Sequence, residues 1–220
     1  MTTALRVLLF SIVLGTAVPA VAETITFDEV PLYTLINGQT IKGVLFSFVP
    51  PISVPTVQPE QAVVLGDSVV GPAASNLTGN WLLLPGEFSY DPYGVRATLT
   101  LNFLNGPVNS LSFQFAVSDP NCHCDTGAGS LDLFDSANLL LGSTYLGGRY
   151  NPLSHADEGT FAYSGAPVSR AVLTVANLVN NDTTPIIDTI TFQATPEPGT
   201  MFGVASALIG LAVIRRNRHR

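Results

Sequence analysis

The sequence predicts an all-β protein built as one β-sandwich, flanked by an N-terminal signal peptide and a single C-terminal transmembrane helix. Three observations predict it. Apolar and polar residues alternate with period two along several short stretches, and no part of the body carries a persuasive helical period. Gly, Pro, Asn and Asp punctuate those stretches, in a chain with 19 Gly and 16 Pro among 220 residues. Between the two ends, residues 23–195 have the length of one domain and can bury a real core.

The strands follow in order. Thr24 to Phe27 and Ile41 to Val49 read as the first two. Pro50 to Pro59 holds four prolines and reads as a long rigid loop. Val95, Ala97, Leu99, Leu101 and Phe103 alternate with Arg96, Thr98, Thr100 and Asn102, the signature of a half-buried strand. Asn105-Gly106-Pro107 then turns the chain into a second alternating run, Ser110 to Val117, and the two together predict a β-hairpin. Ser130 to Phe134 and Leu139 to Tyr145 predict another pair, joined through Asp135 to Asn138. Gly159 to Tyr163, Arg170 to Val175 and Ile186 to Gln193 complete the set. About ten short strands in one domain fit a sandwich best, and its jelly-roll version first.

Both ends carry addresses. Arg6 precedes the apolar stretch Val7 to Ala17, and Ala20-Val21-Ala22 supplies the small residues that signal peptidase admits. Residues 1–22 therefore read as a secretory signal peptide cleaved after Ala22, since the stretch is shorter than the roughly 20 residues that span a bilayer. At the other end, Pro196-Glu197-Pro198 precedes an apolar run, Met201 to Ile214, and a basic tip, residues 215–220, with four arginines. Those fourteen residues rise only about 21 Å as a helix, against a hydrocarbon core of about 30 Å. The arginines favour the cytoplasmic side, so the body lies outside and the tip inside.

Residues 196–220 resemble the PEP-CTERM sorting signal of Gram-negative bacteria, with its three parts in order on a chain that also has a signal peptide. The resemblance implies recognition of Pro196, Glu197 and Pro198 by the membrane protease exosortase and processing near that motif. It also implies transient residence in the inner membrane and delivery to the cell surface or the exopolysaccharide matrix. Within the body, Thr26-Phe27-Asp28-Glu29 followed by Gly43-Val44-Leu45-Phe46 resembles the opening of sandwich domains found ahead of such tails. Ile187-Asp188-Thr189-Ile190-Thr191-Phe192 is similar to the closing strand of jelly-roll, galactose-binding-like modules.

Charge narrows the partners. The body holds four basic residues, Lys42, Arg96, Arg149 and Arg170, against fifteen acidic ones, a net of −11. Nucleic acid is excluded as a partner, because phosphate binding needs clustered Lys and Arg. Divalent cations and neutral glycans are compatible with such a surface.

Candidate site residues fall into three groups. Parity places Asp188 on the face of Ile190 and Phe192, toward the core, where a carboxylate needs a cation or hydrogen-bond donors. Modules resembling this one hold a structural calcium between first and last strands, which implies Asp28, Glu29 and Asp188 as ligands; the alternative is that Asp188 accepts backbone N–H groups. Cys122 and Cys124 flank His123 in an exported loop, where a local disulfide comes first and a soft-metal site, intermolecular pairing and free thiols stay open. Trp81, Arg149 and Tyr150 are the glycan candidates, an aromatic for stacking and polar neighbours for hydroxyls, with Tyr90, Tyr93 and Tyr145 beside them; each aromatic can equally be core. Asn76-Leu77-Thr78 and Asn181-Asp182-Thr183 match the glycosylation sequon.

Catalysis has little support. Ser154-His155-Ala156-Asp157-Glu158 confines Ser, His and Asp to one loop, and triads gather residues from distant parts of a fold. No spacing singles out a carboxylate pair. The expectation is a non-enzymatic structural or adhesive protein of the envelope or polysaccharide matrix, with a glycan-binding module as the second reading and a secreted hydrolase as the third. No cofactor is expected beyond the possible calcium.

Overall fold

A computed structural model of the protein describes residues 22–50, 62–66, 77, 79–84, 97–118, 127–175 and 184–195. All of these but Thr195 belong to one compact unit, Ala22–Ala194. Residues 1–21 of the signal peptide, the sorting motif Pro196-Glu197-Pro198, the apolar run 201–214, and Cys122 and Cys124 lie outside the described residues. Among the described residues no helix is long and apolar enough to cross a membrane.

The body is all-β. Thirteen strands are described: β1 Ala22–Ile25, β2 Thr40–Ile41, β3 Val44–Val49, β4 Val63–Gly66, β5 Asn80–Leu83, β6 Thr98–Phe103, β7 Val108–Ser118, β8 Gly127–Phe134, β9 Leu140–Gly147, β10 Arg149–Asn151, β11 Ala156–Val168, β12 Arg170–Val175 and β13 Thr184–Ala194. They form two antiparallel sheets. The first runs β10-β11-β7-β13-β5-β4, with β1 also on β13; the second runs β2-β3-β6-β12-β8-β9. Side chains from both inner faces fill one core, including Phe27, Phe46, Leu99, Phe113, Phe115, Leu131, Ile187 and Ile190. This is the sandwich that the alternation predicts.

Two local expectations are corrected. The runs ending at Phe103 and beginning at Ser110 do not form a hairpin. β6 pairs with β3 and β12 in the second sheet, whereas β7 pairs with β11 and β13 in the first. The turn at Asn105-Gly106-Pro107 carries the chain across the sandwich. Both runs bury one face in the same core, so alternation reports the buried face and not the neighbour.

The single strand expected over Ile41 to Val49 is two strands. Ile41 pairs with Val44 across the two-residue turn Lys42-Gly43. Both turn residues have positive φ, 47° and 74°, as in the type I′ hairpin turns that match sheet twist. A Cβ at Gly43 would also stand 2.2 Å from the Asn105 amide, so glycine satisfies the turn and the packing together.

A second, smaller apolar cluster lies on the outer face of the first sheet. It holds Leu77, Trp81, Ala116, Ala156 and Ile186, flanked by Leu65 and Leu83. The registers Trp81↔Leu65, Leu83↔Ile186 and Ile186↔Ala116 place these residues side by side on one face.

Candidate functional site: an uncharged cleft between strands β9 and β11

The two sheets do not close along the side where β9 and β11 face each other. Residues 142–147 of β9 and 160–163 of β11 line a cleft of about 400 Å³, with Phe115, Leu131 and Leu133 at its floor. The sequence of β9 produces the opening. Gly142 is opposite Leu133 and Thr144 is opposite Leu131, so both point inward, since opposed residues share a face. Neither fills the space a Leu or Phe would. A Cβ at Gly142 would meet nothing within 4 Å, and Thr144 is exposed although it points inward.

Across the cleft, β11 supplies Phe161 and Tyr163, whose partners Phe113 and Leu111 on β7 belong to the core. Gly159, the preceding inward position, accommodates the Phe115 ring, which would lie 2.3 Å from a Cβ there. The Tyr163 hydroxyl donates to the Ala166 carbonyl at 2.9 Å, which fixes its ring over the cleft wall. Tyr145, opposite Ser130 on the outer face, is 62 % exposed at the rim.

The chemistry of the lining is uniform. Aromatic and aliphatic groups make the floor, Thr144 and Tyr163 bring hydroxyls on the inward face, and Ser143, Tyr145 and Thr160, whose side chains take the outward parity, border the cleft along its rim. Among the described residues no carboxylate, imidazole, ammonium or guanidinium lines it. Such a surface suits a neutral ligand with apolar faces and many hydroxyls.

Beyond Gly147 the chain enters β10, which carries Arg149 and Tyr150, so two of the three glycan candidates adjoin the cleft in sequence. Arg149 is opposite Glu158 and Tyr150 opposite Asp157. The Tyr150 hydroxyl lies 3.1 Å from His155 Nδ1. The Ser154 hydroxyl donates to Glu158 Oε1 at 2.6 Å, and the Asn151 amide donates to Glu158 Oε2 at 3.2 Å. These bonds brace a tight hairpin in which His155 has a φ of 53° and the Leu153 side chain is 89 % exposed. The Ser154 hydroxyl is thus directed to Glu158, while His155 faces Tyr150.

Trp81, the third glycan candidate, is corrected. It is 1 % exposed within the outer cluster, and its ring is closed to a sugar. Its neighbours in the ladders are Leu65 and, two residues along β5, Leu83. Leu77, Ala116, Ala156 and Ile186 pack with Trp81 in that cluster and bury its large apolar surface.

Asp28, Glu29 and Asp188 are not brought together either. Among the described residues no three His, Cys, Asp or Glu side chains gather to hold a metal ion. A β-bulge explains Asp188: it is opposite Gln114 while Thr191 is opposite Ser112, so β13 has one residue more than β7 there. Thr189 takes that extra place with a φ of 49°. Parity therefore breaks between Asp188 and Ile190, and Asp188, wholly buried, shares the face of Ile186. Its Oδ1 accepts from the Thr189 N–H at 2.6 Å.

The bulge marks a changeover. β7 follows one side of β13 throughout, whereas the other side is taken by β5 at Ile186 and Ile187 and by β1 from Ile190 onward. Asp28 joins those two strands, its Oδ1 accepting from the Asn80 N–H at 2.8 Å. The Asn80 amide returns bonds to the Phe27 and Val30 carbonyls. Glu29 has a cation already, Lys42 Nζ at 2.9 Å. Partial burial pushes the Glu29 carboxyl up, but bonds from Lys42, its own backbone and Thr26 outweigh it and leave the group below its ordinary value. All three carboxylates serve strand junctions.

Sequence reasoning missed Thr144, Thr160, Phe161 and Tyr163. The signal was a strand whose inward positions are Gly and Thr where its neighbours carry Leu.

No protein-family model matches the chain, and no curated protein matches it. Solved structures with a similar arrangement exist. The K2 cleaved adhesin domain of Lys-gingipain is 10 % identical, with a TM-score of 0.46, over 79 % of this chain and 98 % of that one. The K1 cleaved adhesin domain of the same protein, from Porphyromonas gingivalis, is 11 % identical, with a TM-score of 0.42, over 80 % of this chain and 99 % of that one. A variant of a family 29 carbohydrate-binding module in complex with mannohexaose is 10 % identical, with a TM-score of 0.38, over 80 % of this chain and 93 % of that one.

Proposed function

We propose that this chain is an exported, non-enzymatic protein of the cell surface or extracellular matrix, adhering to neutral polysaccharide through the β9–β11 cleft. The uncharged lining of that cleft carries the reading: an apolar floor and a hydroxyl rim match the faces and edges of a sugar ring, in a body of net charge −11 that repels anionic polymers. Tyr145 is the aromatic best exposed at the rim and takes the stacking role first considered for Trp81. The test is affinity electrophoresis through gels loaded with neutral glucans, mannans or galactans. At least one polysaccharide should retard the protein, and Tyr145→Ala should weaken that binding about tenfold, a change of about 1.4 kcal/mol. Equal mobility in every gel would overturn the reading.

Export and sorting complete the proposal. The signal peptide carries the body across the inner membrane, the apolar run 201–214 holds it there briefly, and exosortase acts at Pro196-Glu197-Pro198. In a host with exosortase, the released protein should end near residue 196 by mass spectrometry; in a host lacking the enzyme, the body should stay in the membrane fraction. A released protein that keeps residues 201–220 would refute processing.

A further inference from the structure

We propose that β9 is a self-association edge, where two copies of this chain pair antiparallel and join their second sheets into one continuous sheet. Five strands have an unpaired side among the described residues, β1, β2, β4, β10 and β9, with four, two, four, three and eight residues. The first four are short, which is itself a protection against added strands. β9 is long, and its sequence Leu140-Leu141-Gly142-Ser143-Thr144-Tyr145-Leu146-Gly147 contains no charge and no proline, the residues that normally guard an edge. Ser143, Thr144, Tyr145 and Gly147 are exposed, and none of the described residues pairs with this edge.

The occupant follows from the strand itself. Bulges at both ends of the β8–β9 ladder leave Gly142 to Leu146 as its regular run. A two-fold axis through Thr144 sets Thr144 against the partner's Thr144, Ser143 against the partner's Tyr145, and Gly142 against the partner's Leu146. Each pair shares a face, as antiparallel pairing requires, and each sets small against large or like hydroxyl against like hydroxyl. No like charges meet, although the body as a whole carries −11. An uncharged strand in so acidic a body is where two copies can approach. The two-fold also brings the two clefts side by side, because Gly142, Thr144 and Leu146 line both.

The test is sedimentation of the full chain in density-matched neutral detergent, from about 1 to 100 µM. A dimer that dissociates on dilution is expected. Thr144→Lys opposes two ammonium groups at the axis and should weaken association at least tenfold. Mixing Thr144→Lys with Thr144→Asp should restore a dimer that neither forms alone. Ser143→Lys, on the exposed outer face, should act in the same direction if Thr144→Lys does not fold, with circular dichroism confirming the fold of each variant. A monomer at every concentration overturns the proposal, and so does a dimer that both lysine variants leave unchanged, since association would then lie elsewhere. No sugar enters the experiment, so its outcome is independent of the glycan reading.

Discussion

Replacing Trp81 with alanine should lower the free energy of unfolding by about 3–5 kcal/mol, the range for removing a large buried aromatic side chain. In a body of this size that corresponds to a melting temperature lower by about 6–20 °C. The cost arises on the outer face of the first sheet, where Trp81 closes a cluster with Leu77, Ala116, Ala156 and Ile186. These residues come from four separated parts of the chain, so the ring ties β5 to β7, β11 and β13 at once. Chemical denaturation followed by far-ultraviolet circular dichroism measures the loss. Tryptophan fluorescence cannot follow the variant, because Trp81 is the single tryptophan of the chain. In the native protein that same fluorescence should be blue-shifted and unchanged by any sugar. A variant as stable as the native protein, with only glycan binding lost, would return Trp81 to the surface role first considered for it.

The alternating strands from Thr98 to Phe103 and from Ser110 to Val117 were legible because burial on one face leaves a period-two trace. Their assignment to opposite sheets was not legible, since both faces drain into one core and Asn105-Gly106-Pro107 can end a hairpin or an arch. The pair β8 and β9 was legible together with its turn, where Asp135 Oδ1 accepts from the Ala137 and Leu139 N–H groups. Lys42-Gly43 hid inside an apolar run, because lysine is not the residue usually seen at the first place of a type I′ turn. Arg149 and Tyr150 were found as polar and aromatic neighbours of a loop. The cleft beside them was not found, because it is defined by what Gly142 and Thr144 fail to fill, and a missing volume becomes visible only when the facing strand is known.

Asp188→Ala should cost about 2 kcal/mol, and the same amount with calcium or with chelator present. The reason lies in the bulge. Thr189 holds a left-handed backbone that β-branched residues rarely adopt. Its N–H bonds to Asp188 Oδ1 at 2.6 Å, and removing that acceptor leaves a backbone donor unsatisfied beside a wholly buried position. The bulge is also where β5 ends its pairing with β13 and β1 begins, so its loss should loosen β1 first. Hydrogen exchange should report that as faster exchange at Thr24 and Ile25, ahead of the β7 side of the ladder. Asp188→Asn separates the two roles of the carboxylate. Its amide oxygen still accepts from Thr189, so a junction role predicts a smaller loss for Asn than for Ala. A cation site predicts the opposite ordering of evidence: a calcium-dependent rise in melting temperature that Asn and Ala abolish equally. With Glu29 held by Lys42 and Asp28 by the Asn80 N–H, the first pattern is the expected one.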